Sequence, residues 1–404
     1  ISILAFIIQF FKKSVNQNML YLKLKSSFLS GRKHKRWKAN TLQFDKNQEE
    51  KSRDLINKIK RRTYKIRPSL CFIAFSPIKR EIFAGDFSDR IIHHYVFNKL
   101  NPYYENTFIN DSYSCRQNKG TSYGIKRAAK FLRAVSNNYT KEAYVLKLDI
   151  SGYFMNIDRN ILYAQNQTMI KKYFRPEQAQ INELLYLLRK IIFNNPATNC
   201  RLKGHKMDWR GLPKNKSLFF AKENKGLPIG NLTSQLFGNV YLNNFDYFVK
   251  EKLKCRYYGR YVDDMIFMHQ DKEYLKSLIP KIKKYLKNNL DLEIHPKKIY
   301  LQPYQHGFSF LGAFIKPYRI YAGHRIIKNF RHKINLTAQG KINNPIFINS
   351  YLGQLKHYSS FKIRQKILTS KNGQKALKKL KLQTDKNLTR TTPVSNYLKT
   401  ELIN

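Results

Sequence analysis

Two neighbouring aspartates, Asp263 and Asp264, interrupt the otherwise apolar, strand-prone run Arg260-Tyr-Val-Asp-Asp-Met-Ile-Phe-Met268. Successive side chains of a strand point to opposite faces, so the pair can serve one site only where the strand turns back as a hairpin. The apolar flanks suit that geometry. Asp is also common in turns for backbone reasons, so the spacing alone leaves a plain Asp-Asp turn open beside a metal site. A third carboxylate lies upstream, where the aliphatic run Ala143-Tyr-Val-Leu-Lys-Leu-Asp149 meets Ser151-Gly152. This reads as a buried strand with Asp149 at its mouth, although a lone Asp there is ordinarily a cap or turn former. Three carboxylates on the ends of two strand elements can hold two hard divalent cations. Such ions stabilise the attacking and leaving oxygens of an in-line phosphoryl displacement.

The composition fits a chain that works on polyanions. Against 76 Lys and Arg stand only 26 Asp and Glu, a formal charge of +50. Affinity for nucleic acid then falls steeply with salt as counterions are released. The chain is also rich in Lys, Asn and Ile, so part of the surplus is open to reading as solvated surface. The charge nevertheless runs through segments expected to be structured and is not confined to a tail. With 404 residues, 42% of them hydrophobic and 14% aromatic, the chain can bury a core shared by two or three subdomains.

Cys71, Cys115, Cys200 and Cys255 form no Cys-x-x-Cys pair, which favours reduced thiols and a cytoplasmic setting over a zinc knuckle; Cys200 with His205 is too little for a site. The opening Ile1-Ser-Ile-Leu-Ala-Phe-Ile-Ile-Gln-Phe-Phe11 is too short to span a bilayer and reads as a docking helix. No membrane partner is expected.

These residues together resemble reverse transcriptases. Asp149 with Phe154 is similar to their first catalytic motif, and Tyr261-Val-Asp-Asp264 to their second. Gly226-Leu-Pro-Ile-Gly-Asn-Leu-Thr-Ser-Gln235 resembles the segment that packs against the templating base and incoming nucleotide. Most of that superfamily carries Gln before this Gly230 and Pro after this Ser234. Ile229 and Gln235 depart from that pattern in the manner of the branch found in diversity-generating retroelements. Further likeness lies in Arg80 to His94, Asp111 to Thr121, Asp208-Trp209 to Leu212-Pro213, and Ser350 to His357, within a match from about Lys35 to about Leu368.

The resemblance implies an α+β right-hand polymerase with palm, fingers and a helical thumb. The expected divisions are a basic extension over 1–50, fingers over 51–143, palm over 144–175, a fingers/palm insertion over 176–225, palm over 226–316, and thumb with a basic tail over 317–404. It also implies a metal set of Asp149, Ile150, Asp263 and Asp264, binding two magnesium ions for which manganese can substitute. Lys298, with Lys297 as rival, would protonate the pyrophosphate leaving group. Arg80, and with it Lys79, would contact the triphosphate, although a surface charge on a β-ribbon is the plainer reading. Phe154 would lie beneath the sugar and exclude a 2′-hydroxyl, whereas a lone Phe is ordinarily core. Gly230 permits close backbone approach at the nucleotide pocket, and Ser234 and Gln235 sit where polar side chains reach a base or sugar.

Ile229 is apolar where relatives place an amide. Losing that contact would loosen discrimination by only a few kcal/mol at most, which suffices for frequent misincorporation; the resemblance implies template adenines as the place. Arg116, Asn118 and Lys119 with Gly120 resemble a template-backbone contact, and Tyr261 and Gly312 would touch template or primer. A polar loop is the alternative for the first group. His93 and His94 invite a metal reading, but adjacent helical side chains face apart, which favours packing or phosphate-facing roles.

Helices are expected over Asn47 to Arg62, Asp89 to Leu100 and Leu236 to Val249, with a strand pair in Phe308 to Phe314 and a helical pattern beyond Lys316. No cysteine follows Cys255, and neither a His-rich nuclease signature nor the short peptides of retron enzymes are present. The expected partners are a structured template RNA, the RNA–cDNA duplex, deoxynucleoside triphosphates and a multimeric basic accessory protein. The alternatives are an intron- or retron-like enzyme of ordinary fidelity and a non-catalytic RNA-binding relative.

Overall fold

In the computed structural model, residues 20–33, 35–76, 78–174, 178–385 and 388–393 are described. The segment read as an N-terminal docking helix and the last eleven residues lie outside them. The strands are β1 (Ser69–Ala74), β2 (Arg80–Ala84), β3 (Tyr144–Asp149), β4 (Cys200–Leu202), β5 (Tyr257–Tyr261), β6 (Asp264–His269), β7 (Tyr300–Pro303), β8 (Phe308–Phe310), β9 (Ala313–Lys316), β10 (Arg319–Ala322), β11 (Leu382–Thr384) and β12 (Thr391–Pro393), with β-branched and aromatic residues frequent in β1, β2, β5, β6, β8 and β9. The sheets run β2-β1-β4, β5-β6-β3-β7, β10-β9-β8 and β11-β12. Met265 to Met268 are all buried without alternation, as in a strand covered on both faces.

The chain divides into two compact units, one of 1–120, 147–265 and 277–299, the other of 121–146, 266–276 and 300–404. In the first, the helix Phe87–Thr107 packs on the helix Leu232–Tyr241, and Arg159–Tyr173 packs on Gln178–Phe193. Asp86 caps the Phe87–Thr107 helix by accepting the Ser88 N–H at 3.0 Å. Inside it, Asp89 accepts the Tyr64 hydroxyl at 2.6 Å and the Arg67 N–H at 2.9 Å. His93 is buried with Nδ1 2.7 Å from the Thr233 hydroxyl, and His94 is half-buried, so His93 is a packed core histidine.

In the second unit, the helices His324–Ala338, Ile346–Leu355, Phe361–Leu368 and Lys371–Lys379 enclose a core that includes Phe330, Ile334, Ile348, Leu352, Leu368 and Ala376. β8 and β9 are joined by Leu311-Gly312 at φ +51° and +83°, the paired positive values of a tight hairpin turn.

Two expectations are corrected. The helix read over Leu236 to Val249 begins earlier, at Leu232, and breaks at Leu242 before Asn243–Tyr247 and a π-turn at Phe248–Lys252, which leaves Phe245 and Asp246 both fully buried. Beyond Lys316 the chain is not helical at once: Arg319-Ile-Tyr-Ala322 folds back on β9, with Tyr318 at φ +61° in the turn. Ile320 and Tyr321, β-branched and aromatic, favour a strand there.

Burial, followed by the charges of His94 and Arg90, lowers the pKa of His93 to about 4. The neutral ring is therefore the folded form. Its stabilisation is complete above the ordinary value near 6.5 and is lost as pH falls toward 4. Chemical denaturation at pH 7 and pH 5 is expected to show a smaller pH difference in His93→Gln than in the parent, and equal differences would contradict this.

Candidate active site

The strand run from Tyr257 to His269 folds back through a two-residue turn, Val262-Asp263, between β5 and β6. Val262 has φ +56°. A β-branched residue in the left-handed region is an outlier, with a cost on the order of 1–3 kcal/mol. The turn is held from below. Arg260 is completely buried, and its Nη1 donates to the Val262 carbonyl at 3.0 Å. Its Nε and Nη2 donate to the two Asp246 carboxylate oxygens at 2.8 and 2.6 Å, and Nη2 reaches the Ser112 hydroxyl at 3.3 Å. The Tyr258 hydroxyl donates to Asp246 at 2.7 Å.

Burial would lower the pKa of Arg260; the charge and hydrogen bonds of Asp246 outweigh it, and the net shift is upward. The backbone is fastened as well, by Arg260 N–H to the Asp111 carbonyl at 2.8 Å and Tyr113 N–H to the Arg260 carbonyl at 2.9 Å. Neither Arg260 nor Asp246 stood out as functional in the sequence; opposite charges inside two apolar runs were the available signal.

Asp149 ends β3 beside this turn. The Ile150 N–H donates to the Asp263 carbonyl at 3.4 Å, while on the other side the His295 N–H donates to the Asp149 carbonyl at 2.8 Å and the Ser151 N–H to the Glu293 carbonyl at 2.8 Å. The short turn Pro296–Lys298 follows, and Lys298 Nζ lies 2.9 Å from both Asp149 carboxylate oxygens. Lys297 is exposed, with its backbone N–H bonded to His295 Nδ1 at 3.2 Å. Ile150, whose side chain is buried, has no side-chain donor atom, so only its main-chain carbonyl could serve as a ligand.

Both Asp263 and Asp264 have pKa values pushed up to about 6. For Asp263 burial comes first and then the charge of Asp149; for Asp264 burial comes first, opposed by Lys147, with Asp149 again raising it. The three carboxylates thus sense one another across a common space. Among the described residues no three His, Cys, Asp or Glu side chains form a ready-made metal cage. The Lys298 ammonium lies on Asp149 in that space. An oxygen-only donor set, with two carboxyls that resist ionisation side by side, fits a hard divalent cation that would relieve the repulsion.

The Gly226 to Gly230 segment lies against β2, with the Phe83 N–H donating to the Ile229 carbonyl at 2.8 Å. Gly230 has φ +127°, and a Cβ there would stand 2.7 Å from the Phe83 carbonyl oxygen, so the position requires glycine. Ile229 and Phe154 are half-buried against one apolar cluster of Cys71, Phe83, Met155 and Leu218. Gln235 is exposed in the first turn of the Leu232–Tyr241 helix, although its neighbours Thr233, Ser234 and Leu236 are buried. Arg80 opens β2 and is exposed, and its charge is felt at the Tyr261 hydroxyl. Lys79 instead donates to the Arg210 carbonyl at 2.7 Å.

Glu81 was missed by the sequence reading. It is buried, accepting from Trp209 Nε1 at 2.7 Å, the Ser217 hydroxyl at 2.8 Å and the Leu218 N–H at 2.7 Å. It thereby pins the segment from 209 to 218 beneath Arg80. Its sign in the sequence was an acid sharing the buried phase of β2 with Phe83.

Arg116 is a correction. Its side chain is 6% exposed and donates to the Glu105 carboxylate at 2.8 Å and to the Ile109 and Ser112 carbonyls at 2.7 and 3.0 Å. A guanidinium so committed is a clamp within the chain, and a template-backbone contact does not fit it. Lys119 is half-exposed and bonded to Asn110, Tyr261 is half-buried at the end of β5, and Gly312 belongs to the second unit.

Residues 80–315 match the family described as reverse transcriptase (RNA-dependent DNA polymerase). No curated protein matches. Similar solved structures include apo telomerase from Candida tropicalis truncated from its C-terminal domain, at 14% identity and TM-score 0.44, covering 66% of this chain and 58% of that one. Telomerase from Candida albicans in complex with a fragment of telomeric RNA has 11% identity and TM-score 0.46, covering 80% of this chain and 56% of that one. The chain thus spans little more than half the length of these structures.

Asp246→Asn would leave the Arg260 charge buried without its counter-charge, and is expected to destabilise the protein by about 3–5 kcal/mol. Denaturant unfolding should show a smaller loss in the double variant Arg260→Met, Asp246→Leu. A double variant as unstable as the sum of the single ones would contradict the pairing.

Proposed function

This chain belongs to the reverse transcriptase family, and on that premise we propose that it copies a template RNA into DNA from deoxynucleoside triphosphates. With the family comes the right-hand polymerase fold, in α+β form. The observation that carries the reading is the junction at which the end of β3, the Val262-Asp263 turn and the Pro296–Lys298 turn bring Asp149, the Asp263-Asp264 pair and Lys298 to one place.

Asp149, Asp263 and Asp264, with the Ile150 carbonyl, would hold two divalent cations, magnesium in the ordinary case and manganese as a substitute. When bound, these cations supply charge stabilisation to the attacking and leaving oxygens. Lys298 would leave the Asp149 carboxylate and deliver a proton to the pyrophosphate oxygen, and the resulting neutral amine would regain a proton from water before returning. Arg80, exposed at the head of β2, would grip the triphosphate through its guanidinium fork, with Glu81 beneath it fixing the adjoining chain. Lys79 has a partner in Arg210 and would need to release it to join. The ring of Phe154 would close the space a 2′-hydroxyl needs. Gly230 and Gln235 would border the base pair, and Tyr261, Lys119 and Gly312 would contact template or primer.

Ile229 gives the reading its finer form. An apolar side chain in place of an amide leaves the forming base pair with one fewer polar check, which supports an error-prone enzyme of the diversity-generating type acting chiefly at template adenines. A structured template RNA and a multimeric basic accessory protein would complete that system.

Asp263→Asn is expected to abolish primer extension while leaving RNA affinity nearly unchanged, as measured by primer extension and filter binding. Surviving extension would discard the carboxylate assignment. In sequenced cDNA from a template containing all four bases, substitutions should concentrate at adenines, and Ile229→Gln should reduce them by roughly tenfold. Faithful cDNA from the parent protein would favour an ordinary reverse transcriptase instead.

A further inference from the structure

A cleft of about 820 Å³ opens in the first unit among the helices Phe87–Thr107 and Arg159–Tyr173, the short helix Asn243–Tyr247 and the last turns of the helix Lys272–Leu290. None of the residues assigned to polymerisation lines it. Among the described residues, its lining holds five tyrosines and five side-chain amides, with Lys172 as the one charged group and no carboxylate. Small-molecule sites run to roughly 300–1,000 Å³, so the space suits a planar ring with its attached sugar.

The rings in this wall are already held. Tyr285 stacks on Phe248 with centroids 4.3 Å apart and planes at 23°. The Tyr247 hydroxyl donates to the Thr107 carbonyl at 2.7 Å, which fixes a side chain that is otherwise open to solvent. Tyr173 is exposed as well, with Lys172 Nζ 5.0 Å from its ring centroid. A flat ligand therefore meets aromatic faces that lose little further freedom on binding.

The amides are only partly committed. Gln165 Nε2 donates to the Tyr241 carbonyl and Asn243 Nδ2 to the Thr107 hydroxyl, both at 3.3 Å. That hydroxyl itself donates to the Tyr104 carbonyl at 2.9 Å, so it can only accept from Asn243, and the orientation of the amide is fixed. The oxygens of both amides, Gln165 Oε1 and Asn243 Oδ1, are buried and accept no hydrogen bond. A buried acceptor without a donor is costly, and an occupant of the cleft that both residues line can supply one. Asn106 and Asn244 add two exposed amides to the same lining.

An amide presents a donor and an acceptor side by side in one plane, the pattern with which Asn and Gln pair to the edge of a base. Aromatic faces beside such groups, without a carboxylate, suit a neutral heteroaromatic ring. The surplus of Lys and Arg over the whole chain favours a polyanion that carries such rings. Lys281 stands exposed one helical turn before Tyr285, and Lys172 one turn after Thr168, so both cations lie in line with the lining residues of their helices. We propose that this cleft takes one unstacked base of a single-stranded RNA, stacked on tyrosine and hydrogen-bonded by the wall amides. The proposal rests on the reading of this chain as an enzyme that holds RNA, and adds to it a contact outside the catalytic junction.

The experiment compares the full chain with Tyr247→Ala, or with Tyr173→Ala should that variant fail to fold. Fluorescence anisotropy across a salt series measures affinity for a short single-stranded oligoadenylate and for a tetrahydrofuran–phosphate strand of the same length, which has the backbone charge and no bases. Neither readout requires polymerisation.

The variant is expected to bind oligoadenylate about tenfold more weakly than the parent, the loss of one stacked base. Its slope of log K against log salt should stay that of the parent, because no phosphate contact is removed. Both proteins should bind the baseless strand equally. Equal affinity of parent and variant for oligoadenylate overturns the proposal, and so does an equal loss on the baseless strand, which would put the effect on the backbone. A parent that binds neither strand would remove the RNA-copying reading together with this one, whereas RNA binding undiminished in the variant removes this one alone.

Discussion

The buried pair of Arg260 and Asp246 is the constraint from which the candidate site follows. One nitrogen of the guanidinium holds the Val262 carbonyl, and thereby a β-branched residue in a backbone conformation it would not adopt alone. The other side of the fork is neutralised by a carboxylate presented just past the break in the helix that starts at Leu232. Taking both charges out of water is expensive, and the geometry offsets that cost only because every strong donor and acceptor of the pair is used. The reward is positional. The turn is rigid at the point where two carboxylates must meet a third from another strand.

Around that fixed turn the electrostatics are under tension by design of the sequence. Asp263 and Asp264 are raised by burial and by Asp149, and the Lys298 ammonium on Asp149 opposes the accumulated negative charge. A site of this kind gains from cations because its own groups repel. The surrounding chain, with its excess of Lys and Arg, carries the opposite charge on a larger scale.

A second buried acid fixes the chain beside β2. Glu81 ties Trp209, Ser217 and Leu218 to β2, while its neighbour Arg80 on the opposite face is exposed. One strand thus serves two purposes through its two-residue period: anchoring below and display above. Arg116 shows the reverse outcome. It lies among polar loop residues that read as a surface contact, yet it turns inward onto Glu105 and two carbonyls.

By itself the sequence determined what depends on neighbours along the chain. A largely aliphatic run ending in Asp149, apolar flanks around an Asp-Asp pair, and the glycines at 230 and 312 declare a strand end, a hairpin and two special backbone positions, because periodicity and turn preferences are local. It also set the charge that points toward nucleic acid. Only the tertiary structure decided which charged side chains are buried and with whom. Arg260 with Asp246, Glu81 with Trp209, and Lys298 rather than Lys297 on Asp149 are pairings between distant segments. Their strength comes from desolvation, which exists only once the elements have packed together and removed the water.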